Sequence, residues 1–221
     1  MDADTTSERS SHEKLLASFK NHEADILVGT QMITKGLDFE NVTLVGIVAA
    51  DMSLNVDDYR ASERTFDLIT QVVGRAGRGQ LSGRAIIQTY NPDNETIITA
   101  ANQDYDTFYT DEIELRKLLI YPPFCEFINF VFTSENKSVC YKTACDFQNE
   151  IKSVLPPKDA ILYKVCEAPM FRLNGKYRYR FLVKTRYSKE NYLAIAQIYN
   201  KYCGRRNSSL ISIDVNPTNM Y

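Results

Sequence analysis

Two arginines at a spacing of three, Arg75 and Arg78, lie among glycines in the segment QVVGRAGRG (71–79). Glycine lets backbone approach a phosphate closely, and a guanidinium offers forked donors that match phosphate oxygens. In nucleotide-driven motors, an arginine reaching across a cleft stabilises charge on the transferring γ-phosphoryl group. Such a residue is worth about 10³–10⁵ in rate. The same string also suits a plain helix C-terminus, where glycine follows the last turn and cations favour the dipole. Two further features make the phosphate reading the more specific one. Gln71 precedes the arginines, and GTQMITKGLDFENV (29–42) runs from threonine to Gly-x-Asp upstream.

A second chemical signal is FRLNGKYRYRFLVKTR (171–186). On a strand, alternation puts Lys176, Arg178 and Arg180 on one face and Tyr177, Tyr179 and Phe181 on the other. Three cations in a row can neutralise backbone phosphates, each contributing roughly −0.7 to the salt slope with single strands. Arg172, Lys184 and Arg186 extend that patch if the preceding loop folds back. A solvated face over a tyrosine-rich core face accounts for the same pattern. Charge is unevenly distributed, with 11 Lys/Arg against 20 Asp/Glu in residues 1–120 and 15 against 8 in residues 121–221. Opposite halves argue for two modules, the second facing an anion, unless the halves simply attract one another.

The whole chain of 221 residues is 44% hydrophobic and 24% charged, which excludes disorder as its main state. It has no apolar run of about 18 residues, so no membrane partner is expected. MDADTTSERSSHEK at the start has no apolar leader core. Five cysteines without a C-x-x-C pair fit reduced core thiols of a cytoplasmic protein, and no metal site is expected in this chain. His12 and His22 read as surface residues.

These signals need elements to hold them. Ser10-x-x-Glu13 reads as a capping box opening a helix. DILVG (25–29), VTLVGIVAA (42–50) and RAIIQTY (84–90) read as strands, and residues 60–74 as a helix with Phe66, Ile69 and Val73 on one face. Continuous apolar strands around a helix predict a parallel βαβ unit. Residues 93–118 look helical, and Tyr121-Pro122-Pro123-Phe124 breaks the chain. Beyond it, FINFVFT (127–133), AILYKVCE (160–167), KYRYRFLVK (176–184) and LISIDV (210–215) are strands. The helix around Cys140–Val154 and a helix at 189–203 complete a β-α-β-β-α-β order. In the latter helix, Tyr192, Ala196, Tyr199 and Cys203 are expected inward. The expected architecture is α/β: a parallel-sheet unit at 1–92, a helical connector at 93–124, and a small ferredoxin-like α+β domain at 125–221.

TQMITKGLDFENVTLVGIVAAD (30–51), DYRASERTFDLITQVVGRAGRG (58–79), IIQTYNP (86–92) and LRKLLIYPPF (115–124) together resemble the primosomal replication-restart helicases of superfamily 2. The first two strings are similar to motifs V and VI of the second RecA-like lobe. The resemblance runs over essentially the whole chain and implies a C-terminal fragment: the later part of lobe 2 plus the C-terminal domain. It implies an ATP-dependent helicase of 3′-to-5′ polarity, bacterial, cytoplasmic and nucleoid-associated.

By the same resemblance, Gln71, Arg75 and Arg78 face the ATP phosphates, Arg78 taking the arginine-finger role ahead of Arg75. Gly36 and Asp38 lie near the nucleotide sugar, although Asp38 also suits a turn cap. Thr30 touches the DNA backbone. Implied partners are branched and single-stranded DNA, the single-stranded DNA-binding protein and other primosome proteins. ATP and Mg²⁺ would be bound mainly by the preceding lobe, since no G-x-x-x-x-G-K-[ST] segment is present here. Zinc belongs to a cysteine-rich region of the family that this chain lacks. A non-catalytic nucleic-acid-binding scaffold, or another superfamily 2 helicase, is the alternative reading.

Overall fold

The computed structural model describes residues 9–30, 42–76, 82–203 and 209–219, with side chains from residue 13 onward. The chain divides into two compact units, Met1–Glu112 and Ile113–Tyr221. That division falls inside the segment expected to be a connector.

In the first unit, α1 (Arg9–Lys20) already includes Ser10, so this residue lies within the helix and does not cap it. β1 (Leu44–Ile47) and β2 (Arg84–Ile87) pair in parallel, Leu44 opposite Arg84 and Ile47 opposite Ile87. α2 (Asp51–Leu54) and α3 (Ala61–Val73) connect them, which is the expected βαβ unit. α4 (Glu95–Ala101) follows, and α5 (Tyr105–Leu119) begins in this unit and ends in the next. Phe66 and Ile69 of α3 meet Ile97 and Ala100 of α4 and Phe108 of α5 in one apolar cluster. Phe66 and Phe108 stack with centroids 4.2 Å apart.

Three expectations are corrected in this unit. Residues 25–29 are not assigned to a strand among the described residues, and Ile26 and Val28 are exposed at 79% and 74%. Apolar β-branched composition suits a strand's side chains but does not by itself make one. The strands at 42–50 and 84–90 are both four residues long because pairing stops where either ends. The helical stretch 93–118 is two helices, with Gln103 between them at a φ of 55°. Asp104 restarts the second by accepting the backbone N–H of Thr107 at 3.1 Å.

The second unit comprises β3 (Glu126–Ser134), α6 (Lys137–Val154), β4 (Ala160–Leu162), β5 (Cys166–Leu173), β6 (Lys176–Thr185), α7 (Lys189–Tyr202) and β7 (Leu210–Val215). Sheet order is β4-β6-β3-β7, entirely antiparallel, with β5 pairing the other end of β6. The arrangement is ferredoxin-like, except that the single strand expected at 160–167 is two strands serving opposite ends of β6. Asn136 caps α6 through the Val139 N–H, and Ser188 caps α7 through the Asn191 N–H. Phe130 and Phe132 of β3, Phe147 and Ile151 of α6, and Phe181 and Val183 of β6 form the core.

α7 turns a different face inward from the one expected. Asn191, Ile195, Ile198 and Tyr202 are buried, Tyr192 and Tyr199 are half-buried, and Ala196 and Cys203 are exposed. The branched isoleucines fill the core, while the Tyr192 hydroxyl reaches the rim and donates to Glu126 at 2.7 Å. All five thiols are free, but only Cys125 and Cys140 are buried; Cys166 and Cys203 are exposed, contrary to the core-thiol reading. Among the described residues, no helix is long and apolar enough to cross a membrane.

Candidate functional site

The phosphate-facing candidates sit at the C-terminal end of α3. Gln71 is exposed on its last turn. Gly74 closes the helix at φ −66°, within the right-handed region, so its freedom to adopt positive φ is not what the position uses. Close approach is: a β-carbon there would lie 3.3 Å from the Thr70 carbonyl oxygen and 3.6 Å from Nε2 of Gln103. Arg75 is half-buried just beyond, its backbone N–H donating to the Val72 carbonyl at 3.0 Å. Gln71 and Arg75 are therefore brought to one helix end. Thr30 is exposed. Arg78, Gly36 and Asp38 lie outside the described residues.

A neighbouring arginine has a different task. Arg64 pairs with Asp58 at 3.1 Å, and Asp58 also accepts the Arg60 N–H at 3.0 Å. That carboxylate is 1% exposed at the side chain and ties the turn before α3 to its first turns.

On β6 the predicted alternation is present. Tyr179, Phe181 and Val183 enter the core, while Arg178 and Arg180 lie half-buried on the opposite face and Lys176 is exposed. Directly across on β3, Arg178 faces Thr133 and Arg180 faces Val131, neither of them charged. The Arg178 guanidinium reaches the Met170 carbonyl at 3.5 Å.

Two predicted members of the patch belong elsewhere. Arg172 pairs in register with Tyr177, on the face opposite Arg178, and its guanidinium lies 5.3 Å from the Tyr177 ring centroid. Lys184 is 6% exposed; its Nζ donates to the Leu119 carbonyl at 2.9 Å and lies over the Tyr121 ring at 4.0 Å. The run of cations in sequence hid this, because alternation alone cannot tell an open sheet face from one covered by a neighbouring segment.

Titration of two groups follows from their surroundings. Burial pushes the Cys125 thiol up to about 11, against a smaller opposing pull from Lys184. Burial, with the hydrogen bond to Glu126, holds the Tyr192 phenol well above its ordinary range. Among the described residues, no three His, Cys, Asp or Glu side chains are placed to hold a metal ion.

Helicase conserved C-terminal domain is the family whose model matches residues 2–80, and the primosomal protein N C-terminal domain matches residues 117–218. The chain thus joins a helicase domain, carrying the arginine motif, to a primosomal α+β domain, carrying the basic strand. Replication restart protein PriA of Bacillus subtilis (strain 168) is 40% identical over 222 residues, covering 98% of this chain and 27% of that protein. The PriA of Chlamydia pneumoniae is 42% identical over 187 residues (85% and 25%), and that of Synechocystis sp. 43% identical over 183 residues (83% and 22%). The similarity to PriA proteins thus runs over 83–98% of this chain. The chain spans between 22% and 27% of the length of these three relatives.

Proposed function

We infer that the chain forms the second-lobe wall of the nucleotide cleft, and part of the DNA track, in an ATP-dependent helicase that restarts stalled replication forks. The observation that carries this reading is the end of α3. It brings Gln71 and Arg75 together next to Gly74, inside the helicase-matched residues. An amide and guanidinium donors at such a terminus fit the oxygens of a triphosphate. ATP supplies a phosphoryl group whose transfer to water releases the free energy for translocation. Arg78 acts as the arginine finger, with Arg75 as its companion; Gly36 and Asp38 contact the nucleotide sugar. Mg²⁺ is held mainly by the preceding lobe of the parent.

Thr30 contacts the DNA backbone through its hydroxyl, a contact that carries no sequence information and suits a motor tracking any DNA. Arg178 and Arg180, with Lys176, add phosphate contacts to branched or single-stranded DNA. An acidic segment of the single-stranded DNA-binding protein would suit the same surface, and other primosome proteins are further partners. Translocation is 3′-to-5′.

Without a phosphate-cradling G-x-x-x-x-G-K-[ST] segment, the 221-residue chain hydrolyses no ATP by itself, with or without forked DNA. Measuring phosphate release by the purified chain tests this; robust DNA-stimulated hydrolysis contradicts it.

A further inference from the structure

The β5–β6 hairpin and the first turns of α6 carry a feature that phosphate neutralisation does not need. Four aromatic rings meet there, on the face of β6 opposite Arg178 and Arg180. Tyr141 of α6 packs on Tyr179 with centroids 5.1 Å apart, and Phe171 of β5 meets Tyr179 at 5.4 Å and Tyr177 at 5.6 Å. Tyr179 is 6% exposed and anchors the group in the core, whereas Tyr141 is 48% exposed and offers its ring to solvent. Cations rim the cluster: the Lys137 ammonium is 4.9 Å from the Phe171 centroid, and the Arg172 guanidinium 5.3 Å from that of Tyr177.

The chemistry of the partner follows from two properties held together. Of the seven Lys/Arg in residues 135–142 and 164–180, Lys176, Arg178 and Arg180 lie on the other face of β6; beside the rings stand Lys137 and Arg172, with Glu167 3.6 Å from Lys137 offsetting part of that charge. The partner is therefore anionic. It must also present flat apolar faces, because a ring backed by a buried ring gives a rigid stacking surface rather than a deformable groove. Unpaired nucleotides have both properties; in a duplex the base faces are already occupied by their neighbours.

We propose that Tyr141, backed by Tyr179 and flanked by Phe171, is a base-stacking platform for single-stranded nucleic acid whose phosphates pass Lys137 and Arg172. This rests on the reading of the second unit as a nucleic-acid contact. It adds a base contact, on the helix-bearing side of the sheet, to the phosphate contacts of the β6 row on the other side.

Binding of the full 221-residue chain to an oligothymidylate and to an abasic strand of equal length separates the two contacts, since both strands carry the same charge. The oligothymidylate binds roughly tenfold more tightly, the size of stacking a base on an aromatic ring. Tyr141→Ala abolishes that preference and Tyr141→Phe retains it. Tyr141→Gln, which keeps a side chain over Tyr179 but no ring, replaces the alanine variant if truncation lowers the melting temperature. Equal wild-type affinity for the two strands overturns the stacking proposal while leaving the phosphate contacts standing. Binding of neither strand overturns both. A preference that survives loss of the ring overturns the platform, as does a polyglutamate peptide of equal charge binding with the same dependence on Tyr141.

Discussion

The ammonium of Lys184 sits 4.0 Å over the ring of Tyr121 while its Nζ donates to the Leu119 carbonyl at 2.9 Å. Phe127 and Tyr163 add rings at 5.5 and 5.6 Å. One cation on β6 thus ties down the C-terminal end of α5 and the Tyr121-Pro122-Pro123-Phe124 segment. A desolvated cation over a ring is worth about 2 kcal/mol, and a charged hydrogen bond about 1.5–3. Lys184→Met keeps most of the stem and loses both interactions, so it destabilises the second unit by about 2–3 kcal/mol in urea unfolding. Tyr121→Leu in the same background adds less than it does alone, because the two side chains share one interaction. Full additivity of the pair contradicts this account of the contact.

Asp58 is the comparable tie in the first unit. Its buried carboxylate holds the Arg60 N–H and the Arg64 guanidinium, yet Arg64 is 31% exposed and can rehydrate when the partner is lost. The cost of Asp58→Ala is therefore below the roughly 3–5 kcal/mol of a fully buried pair, at about 1–2. Thermal unfolding of the variant measures it.

The thiols divide by environment. Cys125 is 7% exposed and ionises at about 11, whereas Cys166 and Cys203 are exposed. Iodoacetamide near pH 8 modifies the exposed pair first, since only thiolate reacts. Linkage gives a second consequence. Above the ordinary value of 9.0 the unfolded chain releases its Cys125 proton while the folded chain keeps it, so stability falls as pH rises from 9.0 towards 11. The loss reaches about 2 kcal/mol, and Cys125→Ala flattens that part of the stability profile. An unchanged slope in the variant contradicts the assignment.

How far this protein could be read from its residues depended on what each signal encodes. The helix expected at 60–74 is α3 at Ala61–Val73, because Phe66, Ile69 and Val73 report a helical period directly. The strands expected at 127–133, 176–184 and 210–215 are β3, β6 and β7, whereas the one expected at 160–167 is two. Residues 25–29 are not a strand, because apolar β-branched composition describes a strand's side chains without fixing its backbone. The inward face of α7 was misjudged because tyrosines fit both core and rim, and the hydrogen bond from Tyr192 to Glu126 decides between them. Lys184 was misplaced for a related reason: Leu119 and Tyr121, which cover it, are distant in sequence. Tyr141 was missed altogether, since its partner Tyr179 lies on another element.

Arg178 and Arg180 occupy one face of β6, opposite uncharged residues of β3. If each meets one phosphate, Arg178→Ala with Arg180→Ala lowers the salt slope of single-strand binding by roughly 1.4. Titrations of wild type and double variant across a salt series give the two slopes. Identical slopes remove these arginines from the interface.

The most direct test of the central claim is ATP turnover by a full-length PriA carrying this segment with Arg78→Ala, and separately with Arg75→Ala. An arginine that contacts the transferring phosphoryl group is worth about 10³–10⁵ in kcat. The Arg78 variant is expected to lose at least the lower figure while binding forked DNA as before, with the Arg75 variant less impaired. DNA-stimulated turnover that persists unchanged in both variants would contradict the placement of this helix end at the nucleotide.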